Sequence, residues 1–346
     1  RGVPVGGEIE RMDCSSSTPQ LAHKGDASSP SIGAMGFWVA FAATVEGEES
    51  TSVLLSSGDC SVQLDSTSMP RSDGADFEPV VTEFGDYYPR VVYTTTATNV
   101  IPGQHLSGRN VVMSVDGVRR LLSGGEFSGR SHSPAIGASG GSAASSFVVA
   151  FVASPTGDID PEEGSMIVVQ SGDTWLPVLV PSPSRSYSAS TPSLAWTHTT
   201  PAPESRLVFG ASPAGESVAG RSLIVEGRVR TDPTAGPPNV TTILPTELPA
   251  IDPSLSDDGR WVAFASSAPD LVPGDRNGSS DVFVRNIDTG ALVRVSLATD
   301  GSERVGGAAQ PAVSADGRYV AFAAAADLAH TGSEVRDPSV SLRADG

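Results

Sequence analysis

The phrase PSLSDDGRWVAFASS, from Pro253 to Ser267, returns as PAVSADGRYVAFAA from Pro311 to Ala324. A repeat constrains a fold more than any single motif, because each copy must form the same unit and bury its apolar face against the next. Within the clear copy, PSLS predicts a short strand, and Asp257, Asp258 and Gly259 predict a tight two-residue hairpin turn, since Asp and Gly tolerate positive φ. The second strand starts at Arg260. Trp261, Ala263 and Ala265 alternate with Val262 and Phe264, so both faces are apolar and both require a cover. A long connection leads to a third strand at Asp281–Asn286, and a turn leads to a fourth at Leu292–Ser296. Four antiparallel strands in this length make one propeller blade.

The same grammar recurs less clearly after Pro30, Pro79, Pro134 and Pro192, which makes six copies with those at Pro253 and Pro311. Third strands are expected at Ser52–Ser56, Asn110–Ser114, Met166–Ser171, Ser222–Gly227, Asp281–Asn286 and Asp337–Leu342. The expected fold is therefore all-β: a six-bladed β-propeller of four-stranded antiparallel blades. It forms one domain over residues 1–346, with blades starting near 28, 77, 132, 190, 251 and 309. Short apolar segments bounded by Gly, Pro, Asp and Ser, with 37 glycines and 27 prolines, agree with strands and turns rather than helices.

The copies at Pro253 and Pro311 resemble the TolB-type, WD40-like β-propeller repeat of bacterial periplasmic and secreted proteins. Residues 250–346 carry the resemblance most closely, and VVYTTTATNVIPG from Val91 to Gly103 is a second good fragment. The resemblance implies the fold and leaves function open, because one propeller scaffold serves receptors, scaffolds and enzyme appendages.

The chain ends at Gly346, which aligns with the third-to-fourth-strand turn at Gly290, so the last blade lacks a fourth strand. GEIERMD, Gly7–Asp13, supplies a spare one. Residues 8–13 are expected to close the ring as the outer strand of the last blade, which would remove an exposed sheet edge. Cys14 and Cys60 allow one disulfide. Composition in an exported protein favours it, while the propeller reading puts the two on opposite faces.

With 22 Lys and Arg against 40 Asp and Glu, the formal net charge is −18. Nucleic acid and anionic membranes are poor partners for such a chain. No run of apolar residues is long enough for a transmembrane helix. The chain starts at Arg1 rather than Met, as expected for a mature form that has lost its leader. A secreted, periplasmic or cell-surface location follows.

Two long connections are acidic in a patterned way. GDRNGSSD offers Asp275, Asn277 and Asp281, and GDIDPEEG offers Asp158 and Asp160, followed by Glu162 and Glu163. Alternating oxygen ligands around a turn suit Ca²⁺, although neither stretch is the full twelve-residue loop. Local turn hydrogen bonds are the plainer reading of the same residues. No other cofactor is implied. Gly137-Ala-Ser139-Gly-Gly141 has the nucleophile-elbow pattern but falls on a hairpin, where that motif does not work. The histidines, residues 23, 105, 132, 198 and 330, have no metal or catalytic spacing, and His132 alone lies near an expected inner strand. The four tryptophans read as packing between blades.

The expected function is a binding or assembly module without intrinsic catalysis. Its long loops on one face would meet a protein, a surface polymer or copies of the chain itself. A structural subunit of a surface layer or appendage is one alternative. A lyase or hydrolase with a site in the central channel is the other.

Overall fold

Each copy of the repeated phrase begins with a strand that carries a kink at its proline. In the computed structural model the described residues are 7–11, 20–33, 38–44, 50–57, 62–64, 73–83, 89–138, 147–154, 165–171, 174–178, 187–197, 204–213, 223–230, 240–245, 250–298, 301–304, 306–324 and 341–342. They form six antiparallel sheets.

The first sheet holds β1 (Gly7–Arg11), β2 (Gln20–Ile32), β3 (Val39–Thr44), β4 (Thr51–Ser56) and β5 (Val62–Leu64) in chain order. The second holds β6 (Asp76–Glu83), β7 (Pro89–Thr95), β8 (Asn110–Val115) and β9 (Val118–Leu121). The third holds β10 (Ser131–Ala138), β11 (Phe147–Ala153), β12 (Met166–Ser171) and β13 (Thr174–Val178). The fourth holds β14 (Tyr187–Thr197), β15 (Glu204–Pro213), β16 (Leu223–Arg230) and β17 (Val240–Pro245). The fifth holds β18 (Ala250–Leu255), β19 (Trp261–Ser266), β20 (Asp281–Asn286) and β21 (Leu292–Arg294), and the sixth β22 (Ala308–Val313), β23 (Tyr319–Ala324) and β24 (Ser341–Leu342). Among the described residues the only helical element is the single 3-10 turn Gly125–Phe127, and no helix is long and apolar enough to cross a membrane.

The chain divides into two compact units. One comprises Arg1–Ile159 with Val168–Trp175, and the other Asp160–Ile167 with Leu176–Gly346.

The marker prolines have a physical meaning. In every sheet the register slips at the proline where the proline-bearing strand (β2 in the first sheet, the first strand in the others) pairs with the next: between Ser28 and Ser31, Phe77 and Val80, His132 and Ala135, Ser190 and Ser193, Ile251 and Ser254, and Ala309 and Ala312. Three steps on the first strand oppose two on the second, which is a β-bulge. Proline has no N–H for the ladder and is confined to such places in a sheet. The residue before it adopts left-handed backbone: φ is 52° at Ser29, 55° at Glu78, 49° at Ser133, 52° at Asp252 and 53° at Gln310. A non-glycine residue there costs about 1–3 kcal/mol, so the surroundings must hold it.

The serine after the proline helps. Ser31 Oγ accepts from Val81 N (3.1 Å), Ser193 Oγ from Leu255 N (3.0 Å) and Ser254 Oγ from Val313 N (3.1 Å). Each bond staples a bulge to the first strand of the next sheet, so the Pro-Ser pair in three copies is an inter-sheet fastener.

The hairpin between first and second strands is longer than expected. Ser256 N donates to Trp261 O (2.9 Å), which leaves four residues in the loop. Ser256 Oγ donates to Asp258 Oδ1 (2.6 Å), and Asp258 Oδ1 accepts from Arg260 N (2.9 Å). This side-chain network is why Ser-x-Asp-Gly selects a wider turn than Asp-Gly alone. The sixth sheet repeats it bond for bond through Ser314, Asp316 and Arg318. A true two-residue turn occurs at Asp116 and Gly117, both at positive φ, where Val115 pairs with Val118.

Ring closure by residues 8–13 is corrected. The N-terminal strand exists, but β1 pairs antiparallel with β2 in the first sheet, and among the described residues β24 pairs with β23 alone. The reason is locality: β2 lies just downstream of β1 and runs beyond the span paired with β3, so the nearby ladder forms at low loop-closure cost. The sixth sheet has three strands among the described residues.

Second and third strands carry the cores. Phe264 and Phe283 pair across β19 and β20 with rings stacked at 5.8 Å, and both are fully buried. Trp38 and Trp261 pack half-buried against two such clusters, as inter-sheet packing requires.

Candidate functional site

The long connections between second and third strands are built on buried residues. In the first unit, residues 96–109 anchor through Ala97, Val100, Ile101 and Leu106, all buried, while Pro102–His105 stand exposed. Asn110, the first residue of β8, closes the base of this loop. Its Nδ2 donates to Ser107 O (3.0 Å), and its Oδ1 accepts from Gly129 N (2.8 Å).

In the second unit, residues 267–280 anchor through buried Ala268, with Leu271 and Val272 packed against the Phe264–Phe283 core. The residue in the place of Asn110 is Asp281, the first of β20, and its side chain is 2% exposed. Asp281 accepts from Ser296 Oγ on Oδ1 (2.5 Å) and from Asn277 Nδ2 on Oδ2 (3.1 Å). A carboxylate in place of an amide brings a charge, and the partner is Arg294 of β21. Arg294 Nη1 lies 3.2 Å from Asp275 Oδ1, 3.3 Å from Asp281 Oδ2 and 2.7 Å from Glu303 Oε1.

The sequence therefore assembles Asp275, Asn277 and Asp281, as the oxygen-ligand pattern expects, but around a guanidinium. Among the described residues no three His, Cys, Asp or Glu side chains stand in metal-holding geometry. Burial, and then the charge of Asp281, push the Asp275 carboxyl above its ordinary value, with Arg294 opposing. Glu303 is held below its ordinary value, first by the Arg276 N–H and then by Arg294. Arg294 and Glu303 were missed in the sequence because they come from a different strand and a different loop. The signal was an arginine two positions before Ser296, in a strand that pairs with the third strand, which opens on buried Asp281.

A second polar constellation lies on the bulges of the first unit. Glu78 Oε2 accepts from Thr94 Oγ1 (3.0 Å) and from Ser133 N (2.8 Å), and Glu78 Oε1 from Ser133 Oγ (3.3 Å). His132 Nδ1 is 2.9 Å from Ser133 Oγ. His132 lies in β10, half-buried, rather than in a loop. Burial pulls its pKa down; Glu78 raises it and Arg109 lowers it further. Glu78 and Ser133 both precede marker prolines, and their shared hydrogen bonds offset the cost of two left-handed residues. A hydroxyl between an imidazole and a carboxylate can pass or hold a proton.

Asp158, Asp160, Glu162, Glu163, Ser139, His198, His330, Cys14 and Cys60 lie outside the described residues. His105 is exposed at its loop tip, and His23 lies in β2.

No protein-family model and no curated protein matches the chain. Among solved structures, a puromycin-hydrolysing peptidase from Mycobacterium tuberculosis is 17% identical with a TM-score of 0.52, over 89% of this chain and 44% of that one. An oligogalacturonate lyase in complex with manganese is 11% identical with a TM-score of 0.51, over 94% of this chain and 80% of that one. A putative TolB from Agrobacterium tumefaciens is 15% identical at a lower TM-score of 0.46, over 80% of this chain and 83% of that one. The chain spans less than half the length of the peptidase. At these identities the likeness is one of fold. It corrects the expectation that the chain has no catalysis: a lyase shares this fold over 80% of its chain and a peptidase over 44%, so the fold gives no ground for denying it. The antiparallel sheet repeat and the likenesses to the lyase and the peptidase make the chain an all-β, propeller-like protein.

Proposed function

We propose that the chain is an exported binding or assembly module that meets protein or surface-polymer partners through long loops, of which 96–109 in the first unit and 267–280 in the second are each, taken by itself, built for it. The observation that carries this reading is that both loops are fastened from beneath while their tips stay exposed. Pro102–His105 rise from buried Ile101 and Leu106, and Pro273, Gly274 and Arg276 surround buried Asp275. A loop held in place before binding loses little entropy on binding, which is what a recognition surface requires. The net charge of −18 directs it toward neutral or basic partners. The test is co-purification from the source with wild-type chain and with a variant carrying Gln104→Ala, His105→Ala and Arg276→Ala. Loss of a retained partner at unchanged melting temperature supports the reading. Full retention by the variant counts against it.

A second reading, a lyase or hydrolase, has one specific observation in its favour: the Glu78–Ser133–His132 chain on bulged first strands. Turnover of oligogalacturonate or puromycin, abolished by His132→Ala and Ser133→Ala, would establish it. Equal turnover by the variants would remove these residues from any active site.

A further inference from the structure

Within each unit the sheets stack by one rule. The face that carries the residue two after the marker proline packs on the opposite face of the sheet before it. Val81 of the second sheet is buried with Ala40, Val53 and Leu55 of the first, where Trp38 packs on them. Leu255 and Val262 of the fifth sheet are buried with Ala195 and Val208 of the fourth. Val320 and Phe322 of the sixth are buried with Ala263, Val282 and Val284 of the fifth, where Trp261 packs. Two faces break the rule. Ile32, two after Pro30, is 66% exposed, whereas Val81 and Leu255 are 5% and 6% exposed. Val39, its pair on β3, is half-buried, whereas Val262 and Val320 in the same place are buried. On the sixth sheet Tyr319 stands where the fifth has Trp261 and is 45% exposed. Ala312, Ala321 and Ala323 are exposed with it, and Ala312 pairs with Ala321.

We propose that these two faces bind each other between copies of the chain, the Ile32 face of one copy seating on the Tyr319 face of the next. The fifth sheet shows what fits the Tyr319 face. The same face of β19 is covered by Val313, Val320 and Phe322, and Ile32, Val39 and Phe41 hold those three places on the first sheet, with Ile32 paired to Val39 as Val313 is to Val320. Each chain leaves both faces to water, so their cover comes from outside it. Each chain also carries each face once. The contact is therefore heterologous and joins copies head to tail into rings or open chains. It uses no loop, and so goes beyond the loop reading above. One tyrosine and three alanines bury less than the roughly 1,000 Å² that a stable interface clears, so the association is weak, with a Kd on the order of 100 µM. One fastener is missing from it. Ser31, Ser193 and Ser254 each accept from the N–H two after the proline of the next sheet, and the sixth sheet has Ala312 in the serine's place. Apolar burial alone holds the contact.

Analytical ultracentrifugation of the full chain tests this, in about 0.15 M salt to screen the net charge of −18. The wild-type mass rises with concentration, up to about ten times that Kd. Ile32→Asp and Ala321→Asp, both at exposed positions, each remain single chains. Mixed in equal amounts they form pairs and nothing larger, because each variant keeps the face that the other has lost. Ala312→Ser supplies the missing acceptor for the Ile32 N–H of the next copy and tightens association about threefold to tenfold. Ile32→Ser serves if Ile32→Asp does not fold. A wild type that remains a single chain throughout, as when both faces are covered within one chain, overturns the proposal. So does association that survives either single variant, an equal mixture that stays unpaired, or an Ala312→Ser chain that associates no more tightly than wild type.

Discussion

The fifth and sixth sheets share a sequence and differ in cover. Ser256-Asp-Asp-Gly-Arg-Trp261 and Ser314-Ala-Asp-Gly-Arg-Tyr319 make the same turn with the same hydrogen bonds. WVAFAS of β19 is buried on both faces, with Ala263 and Ala265 fully covered. YVAFAA of β23 buries Val320 and Phe322 but exposes Tyr319, Ala321 and Ala323. Local chemistry is therefore equal and burial is not. The cover on the second face of β19 comes from the sixth sheet, through Ala308, Val320 and Phe322. The equivalent face of β23 has no such layer among the described residues.

The largest test of this difference is a charge on that face. Ala263→Asp puts an unpaired carboxylate in a closed core and should cost about 3–5 kcal/mol, whereas Ala321→Asp should stay within about 0.5 kcal/mol, both read from denaturant midpoints. Equal costs would break the comparison and show that another layer covers β23 in solution, as a closed ring requires.

The two turns offer a smaller contrast. Gly259 and Gly317 both have positive φ, 70° and 72°. A Cβ on Gly317 would lie 2.2 Å from Trp261 Cδ1, because this turn packs on the tryptophan of the fifth sheet. Gly259→Ala should cost about 1–2 kcal/mol from the backbone alone, and Gly317→Ala about 1–3 kcal/mol more. Thermal melts of both variants decide this. An equal loss would show that Trp261 swings aside freely.

The smallest effect concerns pH. Asp252 precedes its marker proline at the place where the sixth sheet has Gln310. Burial raises the Asp252 pKa. The folded chain then holds that proton more tightly than the unfolded one, so stability falls as pH rises from the ordinary aspartate value through the raised one. Asp252→Asn tolerates the same left-handed backbone and should remove that fall. The variant should melt slightly above wild type at neutral pH and level with it in acid. A gap that persists in acid would assign the effect to something other than ionisation.

Much of the repeat was legible before any coordinates. Third strands at Asn110 and Asp281 start where the apolar alternation starts, and the prolines at 30, 79, 134, 192, 253 and 311 mark one structural position. What they mark was not legible. A bulge with a left-handed residue before proline reverses the ordinary preference of that residue, and only pairing with the second strand shows it. The acidic loop was legible as a cluster of oxygens, and Arg294 inside it was not. Glu78 and Ser133 lie 55 residues apart and meet only because their bulges stand on neighbouring first strands.

By itself the sequence determined the strands, the polar turns and the repeat. Alternation, proline and Ser-x-Asp-Gly act through φ preferences and hydrogen bonds that reach a few residues. The tertiary structure decided the rest: that β1 pairs with β2, that one face of β23 is uncovered among the described residues, and that Arg294 sits among the carboxylates of the acidic loop. Those outcomes depend on which distant surfaces meet, because burial and charge compensation are properties of a neighbourhood that no local pattern encodes.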